Sequence, residues 1–212
     1  MTENVHVQEQ FQDAEQQHST DVLGMWVFLG SEILFFGGLF LVYTIYRQAY
    51  PEAFAEASSH LNLWLATANT AILLSSSLTI AMSELLLRQD RLRSARLAMA
   101  ATVGLGLVFL AIKGLEYYLE YAEGLVPFLG SFSYSGPDAD QVRLFFHVYF
   151  SMTGLHALHL AIGVGLIVSM LVLSFRCSDR ARLERQLEVS ALYWHFVDVI
   201  WVVVFPILYL IK

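Results

Sequence analysis

Five stretches of about 20 or more mostly apolar residues recur along this chain, and no other feature constrains its fold as strongly. A helix needs about 20 residues, at 1.5 Å each, to cross a hydrocarbon core of ~30 Å. The stretches run over 22–46, 62–87, 95–119, 142–175 and 190–211, the fourth being long enough to protrude. Lipid offers no partners to the backbone, so only helices or closed barrels can span it. Barrel strands would show alternating ten-residue segments, and none is present. The expectation is an all-α bundle of five transmembrane helices over 22–212, preceded by a polar tail, 1–21, with five acids and no Lys or Arg. Composition agrees: 57% of the 212 residues are hydrophobic and 15% charged, against about 25% charged in a soluble domain. Asp+Glu at 19 exceeds Lys+Arg at 12, which leaves no basic surface for nucleic acid. The single cysteine, Cys177, can form neither an internal disulfide nor a multi-cysteine metal site.

Arginine placement predicts the orientation. The second-to-third connection carries Arg88, Arg91 and Arg93, with Arg96 just inside the next span. The fourth-to-fifth carries Arg176, Arg180, Arg182 and Arg185, whereas the other two connections have only Arg47 and Arg143 at their edges. The Arg-rich ends are therefore expected to face the cytoplasm, with the N-terminus inside and the C-terminus outside. The acidic 120–143 connection is then external, either a docking surface or a solvated connector. Tyr43, Tyr46 and Tyr50, then Tyr117, Tyr118 and Tyr121, then Tyr193 and Trp194, are expected at the membrane–water interface. Small residues at four-residue spacing, Thr67, Ala71, Ser75, Thr79 and Ser83 on the second span and Ala157, Ala161 and Gly165 on the fourth, predict faces of close helix packing.

Apolar helices need no ionisable groups at depth, yet several are here. A charge at a helix centre costs about 2.5–3.5 kcal/mol on insertion scales, so such groups turn inward and find partners. Glu32 lies about 15 Å into the first span. No basic residue precedes Arg47 on its own helix, so either another helix supplies a polar partner or the carboxyl keeps its proton. Lys113 and Glu116, three apart on one face, are expected to neutralise each other. His195 and Asp198 are expected to hydrogen-bond to each other and staple helices together. His156 and His159 share a face of the fourth span. Two imidazoles three apart cannot bind opposite sides of one haem, and no cysteine or carboxylate beside them completes a metal set. His147 stands nine residues before His156, on no shared face. Arg88, Arg91 and Arg96 are close enough to the membrane surface to attract anionic head groups.

The stretches GMWVFLGSEILFF (24–36), KGLEYYLEY (113–121), TGLHALHL (153–160) and YWHFVDVIWVVVFPILYL (193–210) resemble subunit III of the haem–copper respiratory oxidases. They stand in the family's order and cover essentially the whole membrane part. The resemblance implies an accessory subunit without redox centres in a bacterial inner (plasma) membrane. It implies direct contact with subunit I, which holds haem and copper, reduces dioxygen and pumps protons, and association with subunit II, which receives electrons. It implies bound phospholipid and a supporting role in proton uptake, assembly and durability. Glu32 matches the family's carbodiimide-reactive intramembrane carboxyl, and Glu116, His156, His159, His195 and Asp198 match other polar motif positions. Many members have seven spans; this chain corresponds to the five-span bacterial type and lacks the first two, one arm of the lipid cleft. Lipid is expected against the first and second spans, where that arm would lie.

Cytochrome c is the expected donor, because quinol-oxidase relatives often carry Asp where Glu32 stands. Alternatives are a quinol-oxidase subunit III, a nitric-oxide-reductase-associated homologue and, from another class, a proton-coupled transporter. Transporters usually show internal repeats and broken mid-membrane helices. No repeat is visible, and the one intramembrane proline, Pro206, is near the chain's end.

Overall fold

A computed structural model of the chain describes residues 14–128, 132–176 and 179–210. Among these it shows six α-helices: α1 (Ala14–Ala49), α2 (Pro51–Ser59), α3 (Leu63–Arg88), α4 (Leu92–Ala122), α5 (Ala139–Arg176) and α6 (Arg180–Phe205). Five of them, all but α2, are long and apolar enough to cross a membrane.

Local chemistry sets the helix ends. Asn62 caps α3, its side-chain oxygen accepting from the Trp64 and Leu65 amides at 3.1 Å each, and Asp179 caps α6 by accepting from the Arg182 amide at 3.1 Å. Such a cap contributes about 1 kcal/mol. Gly124, at φ 69°, ends α4, where the Leu125 amide reaches back to the Glu120 carbonyl at 3.0 Å. A positive φ there favours glycine. Pro206 has no N–H for the helical ladder, and α6 is followed by one wide π turn, Pro206–Leu210, that buries Leu208 and Tyr209.

Three residues connect α3 to α4, making an antiparallel hairpin that is the most extensive helix pair. α6 is the centre of the bundle: it touches α1, α3 and α5 and is the most buried of the five spanning helices. α1 lies at the edge against α5, α6 and α2 and is the least buried. Its remaining surface, Leu23, Trp26, Val27, Leu34 and Leu41 among others, is exposed. In a membrane that face meets lipid or another subunit rather than water.

The helices run past the apolar stretches. Residues 14–21 are part of α1. The Thr20 hydroxyl bonds the Gln16 carbonyl, and Asp21 faces Arg185 of α6 at 3.6 Å, so polar contacts extend the helix past its apolar part. α6 begins at Arg180, ahead of the apolar stretch that starts at 190, which places Arg180, Arg182 and Arg185 on its first turns. Arg180 pairs with Asp90, and Arg88 stands 3.5 Å from Glu188. The 120–143 connection shortens to 123–138 between helices. Residues 47–61 contain α2, which is too short to register as a span; its Phe54 packs edge-on against Phe145 at 5.3 Å.

The packing faces also differ. On α3 the buried positions are Ala66, Asn69, Leu73, Ser76, Ile80, Ser83 and Leu87, while Thr67, Ala71 and Ser75 are exposed. On α5, Gly163 is buried while Ala161 and Gly165 are exposed. A four-residue step exceeds one 3.6-residue turn, so a stripe built on it drifts around the helix. The buried set alternates steps of three and four and stays on one side. Tyr43, Tyr193 and Trp194 are buried between helices. Because α6 starts early, Trp194 lies about 21 Å along it. Its ring wedges between α4 and α5, where a methyl on Gly106 would stand 2.8 Å, and one on Gly163 3.1 Å, from Trp194 carbons.

Candidate functional site: polar groups inside the bundle

Leu29, Phe36 and Tyr43, seven apart, form the buried ridge of α1, and Glu32 lies on that side. Its carboxyl meets His159 of α5, with Nε2 3.1 Å from Glu32 Oε2. The two side chains are 19% and 13% exposed, so the pair sits at the edge of the bundle. His159 Nδ1 lies 2.8 Å from the Leu155 carbonyl, and a carbonyl only accepts, so Nδ1 carries a hydrogen. Nε2 then either accepts a proton from a carboxylic acid or donates one to a carboxylate. Tyr193 of α6 donates to the His159 carbonyl at 3.0 Å, and the Phe36 ring packs 5.3 Å from the imidazole. Another helix therefore does supply the partner that Glu32 needs.

A second cluster lies at the Arg-poor end of the bundle. Lys113 Nζ donates to Glu116 at 2.8 Å, to Tyr209 OH at 2.6 Å and to Tyr149 OH at 3.2 Å. Lys113 and Glu116 are each 2% exposed, so the expected pair is present but deeply buried. Tyr209 donates back to Glu116 Oε1 at 2.6 Å, and Tyr149 donates to Glu120 at 2.6 Å. Apolarity alone places Glu120 just past the third span, in the loop. It is buried because α4 runs on to Ala122. Its spacing gave a usable signal: 113, 116 and 120 fall in steps of three and four, on one face.

On α6 the expected His195–Asp198 bond is not formed. His195 Nδ1 pairs with Ser77 of α3 at 2.7 Å, and Asp198 Oδ1 is buried with no hydrogen-bond partner among the described residues. Residues 195 and 198 lie three apart on one face of α6, and both reach Ser77 of α3 rather than bonding to each other. Two indoles staple the same pair of helices: Trp194 donates to Ser76 and Trp201 to Thr70, each at 3.1 Å. His156 is flanked by the rings of Phe109 and Trp201 at 5.7 and 5.0 Å, and both its nitrogens lack partners among the described residues. It faces α4 and α6 while His159 faces α1, so the two imidazoles do not converge. Among the described residues no group of three His, Cys, Asp or Glu side chains is placed to hold a metal ion.

The arginines differ in availability. Arg91 is exposed, and Arg88 is 59% exposed opposite Glu188. Arg96 is committed to the protein: it donates to the Ser174 hydroxyl at 3.1 Å and to the Ser174 carbonyl, and its guanidinium lies 4.1 Å from the centre of the Phe175 ring. It ties α4 to α5.

Five spanning helices with an interior of hydrogen-bonded charges, indoles and phenols define a polytopic membrane subunit whose polar side chains bind helices to one another. The model of the cytochrome c oxidase subunit III family matches residues 5–212, and the chain belongs to that family. It is 35% identical to cytochrome c oxidase subunit 3 of Thermostichus vulcanus over 90% of this chain and 87% of the relative. It is 30% identical to a probable quinol oxidase subunit 3 of Staphylococcus haemolyticus over 89% of this chain and 88% of that one. It is also 27% identical to cytochrome bo(3) ubiquinol oxidase subunit 3 of Buchnera aphidicola, over 92% and 96%. The chain is thus a multi-pass membrane subunit of a haem–copper oxidase, and an accessory role fits the family.

Proposed function

We propose that this chain is the non-redox subunit III of a proton-pumping terminal oxidase in a bacterial plasma membrane. It contacts subunit I directly, assembles with subunit II, and leaves haem, copper and dioxygen reduction to those partners. The observation that carries this reading is the use made of the buried polar groups. Glu32 and His159, Lys113 and Glu116, and His195 and Ser77 each close a contact between groups of the bundle, and the imidazoles do not converge. The chain's contribution is then to hold helices, lipid and its partner in place and to support proton uptake and durability. Phospholipid covers the exposed apolar faces of α1 and α3, with the exposed Arg91 placed to meet head groups. The electron donor is cytochrome c, the donor in the name of the Thermostichus relative.

Affinity purification of the tagged chain from its native membranes tests the reading. The preparation should contain haem and oxidise reduced cytochrome c. Oxidation of quinol alone would transfer the chain to the class named for the Staphylococcus and Buchnera relatives. A haem-free preparation would overturn the assignment to a terminal oxidase.

A further inference from the structure

The hydrogen bonds at the Arg-poor end leave one charge unbalanced. Lys113 uses its three N–H donors on Glu116, Tyr209 and Tyr149. Glu116 has both oxygens occupied, Oε2 by that ammonium and Oε1 by the Tyr209 hydroxyl. These two residues cancel. Glu120, one turn further along α4, is 4% exposed. Its Oε1 accepts from Tyr149 at 2.6 Å, and its Oε2 is buried with no partner among the described residues.

Cations at the same end are occupied elsewhere. Arg47 donates to Tyr43 OH at 3.1 Å, and Arg143 lies over the Phe132 ring at 6.0 Å. Glu123, the next acid on the chain, adds only negative charge. The remaining groups around Glu120 are phenols: Tyr149 of α5, Tyr209 of the terminal turn, and Tyr117 of α4, whose hydroxyl is paired with Thr153 at 2.7 Å. A second buried carboxylate sharing one ammonium is strongly disfavoured. A metal cation does not solve this, because hard cations need about six oxygen ligands and one carboxylate oxygen is free.

We propose that Glu120 is a proton-binding site: the cluster of Lys113, Glu116, Glu120, Tyr149 and Tyr209 takes one proton from the aqueous phase at this end of the bundle and holds it on Glu120. The contacts Glu120–Tyr149, Tyr149–Tyr209 and Tyr209–Glu116, at 2.6, 3.1 and 2.6 Å, form a continuous hydroxyl chain between the two carboxyls. Once the Tyr149 hydroxyl turns its hydrogen from Glu120 to Tyr209, a proton leaving Glu120 for Tyr149, with the Tyr149 hydrogen passing to Tyr209 and that of Tyr209 to Glu116, moves the acid from one carboxyl to the other. Two carboxyls thereby share a single proton beside a fixed ammonium. The site does not depend on the chain's role in an oxidase.

Infrared difference spectroscopy of the purified membrane complex, wild type against Glu120→Gln, tests this in H2O and D2O. The difference should contain the carbonyl stretch of one protonated carboxyl, displaced to lower frequency in D2O. The antisymmetric stretch of an ionised carboxylate in its place would overturn the proposal. Tyr149→Phe provides a second reading should the first variant fail to assemble. Removing the hydroxyl that donates to Oε1 should displace a protonated-carboxyl band without abolishing it. A spectrum in which no such band moves would equally overturn the proposal.

Discussion

His159 Nε2 lies 3.1 Å from Glu32 Oε2, joining α1 to α5 across 127 residues of chain. Nδ1–H is anchored on the Leu155 carbonyl, and few other polar contacts hold α1 to the bundle among the described residues. Glu32→Gln keeps a donor opposite Nε2 while removing titration. It should leave haem content unchanged and reduce oxidase turnover modestly at most. Complete loss of activity in an assembled complex would place Glu32 on an obligatory proton path. Glu32→Leu should weaken α1 docking by about 1–3 kcal/mol, the cost of leaving a buried polar partner unsatisfied. Hydrogen exchange would then rise in α1 and stay unchanged in the α3–α4 hairpin.

Gly106 and Trp194 permit a separate test of packing. Gly106→Ala places a methyl 2.8 Å from the Trp194 ring and 2.9 Å from a Val164 methyl. Overpacking of this kind costs about 1–3 kcal/mol, which should lower the thermal unfolding midpoint of the complex. Adding Trp194→Phe returns space to the methyl while removing the bond to Ser76. The double variant should therefore lose less stability than the sum of the two single changes. Strict additivity would show that the two sites do not share a contact.

Arg96 and Arg91 should respond in opposite ways. Arg96→Gln removes the tie to Ser174 and the contact with Phe175, so it should loosen α4 from α5 and lower the midpoint. Arg91 is exposed, and a basic residue at a membrane surface attracts anionic lipid by about 1 kcal/mol. Arg91→Gln should reduce co-purifying anionic phospholipid, read by mass spectrometry, with the midpoint unmoved. Lipid retention that is indifferent to Arg91 and sensitive to Arg96 would reverse the assignment.

Orientation is open to chemical labelling. The Arg-rich ends predict Cys177 on the cytoplasmic side; that residue lies outside the described residues. A membrane-impermeant thiol reagent should label it in opened membranes and not in intact cells. Ready labelling of intact cells would invert the topology.

The five spans were legible because length and apolarity alone determine them. Their ends were not, since α1 and α6 continue past the apolar part on polar contacts such as Asp21–Arg185 and on the Asp179 cap. The inward direction of Glu32 and the Lys113–Glu116 pair followed from the cost of charge in lipid. Ser77, Tyr149 and Tyr209 could not be foreseen, because cross-helix partners depend on register and rotation that periodicity leaves open. The same limit explains His195: spacing placed Asp198 within reach, but the helix turned the imidazole towards α3. Small residues at four-residue spacing misled for the opposite reason, since a local pattern was read as a face without following it around the helix.

On the proposed reading, this chain supports a haem–copper oxidase without holding its redox centres. Metal and haem analysis of the purified complex, before and after this chain is stripped from it with detergent, is the decisive measurement. Iron, copper and haem should remain with the other subunits in unchanged amount, and the released chain should carry none in stoichiometric proportion. Iron or copper near one per polypeptide in the released chain would contradict that reading.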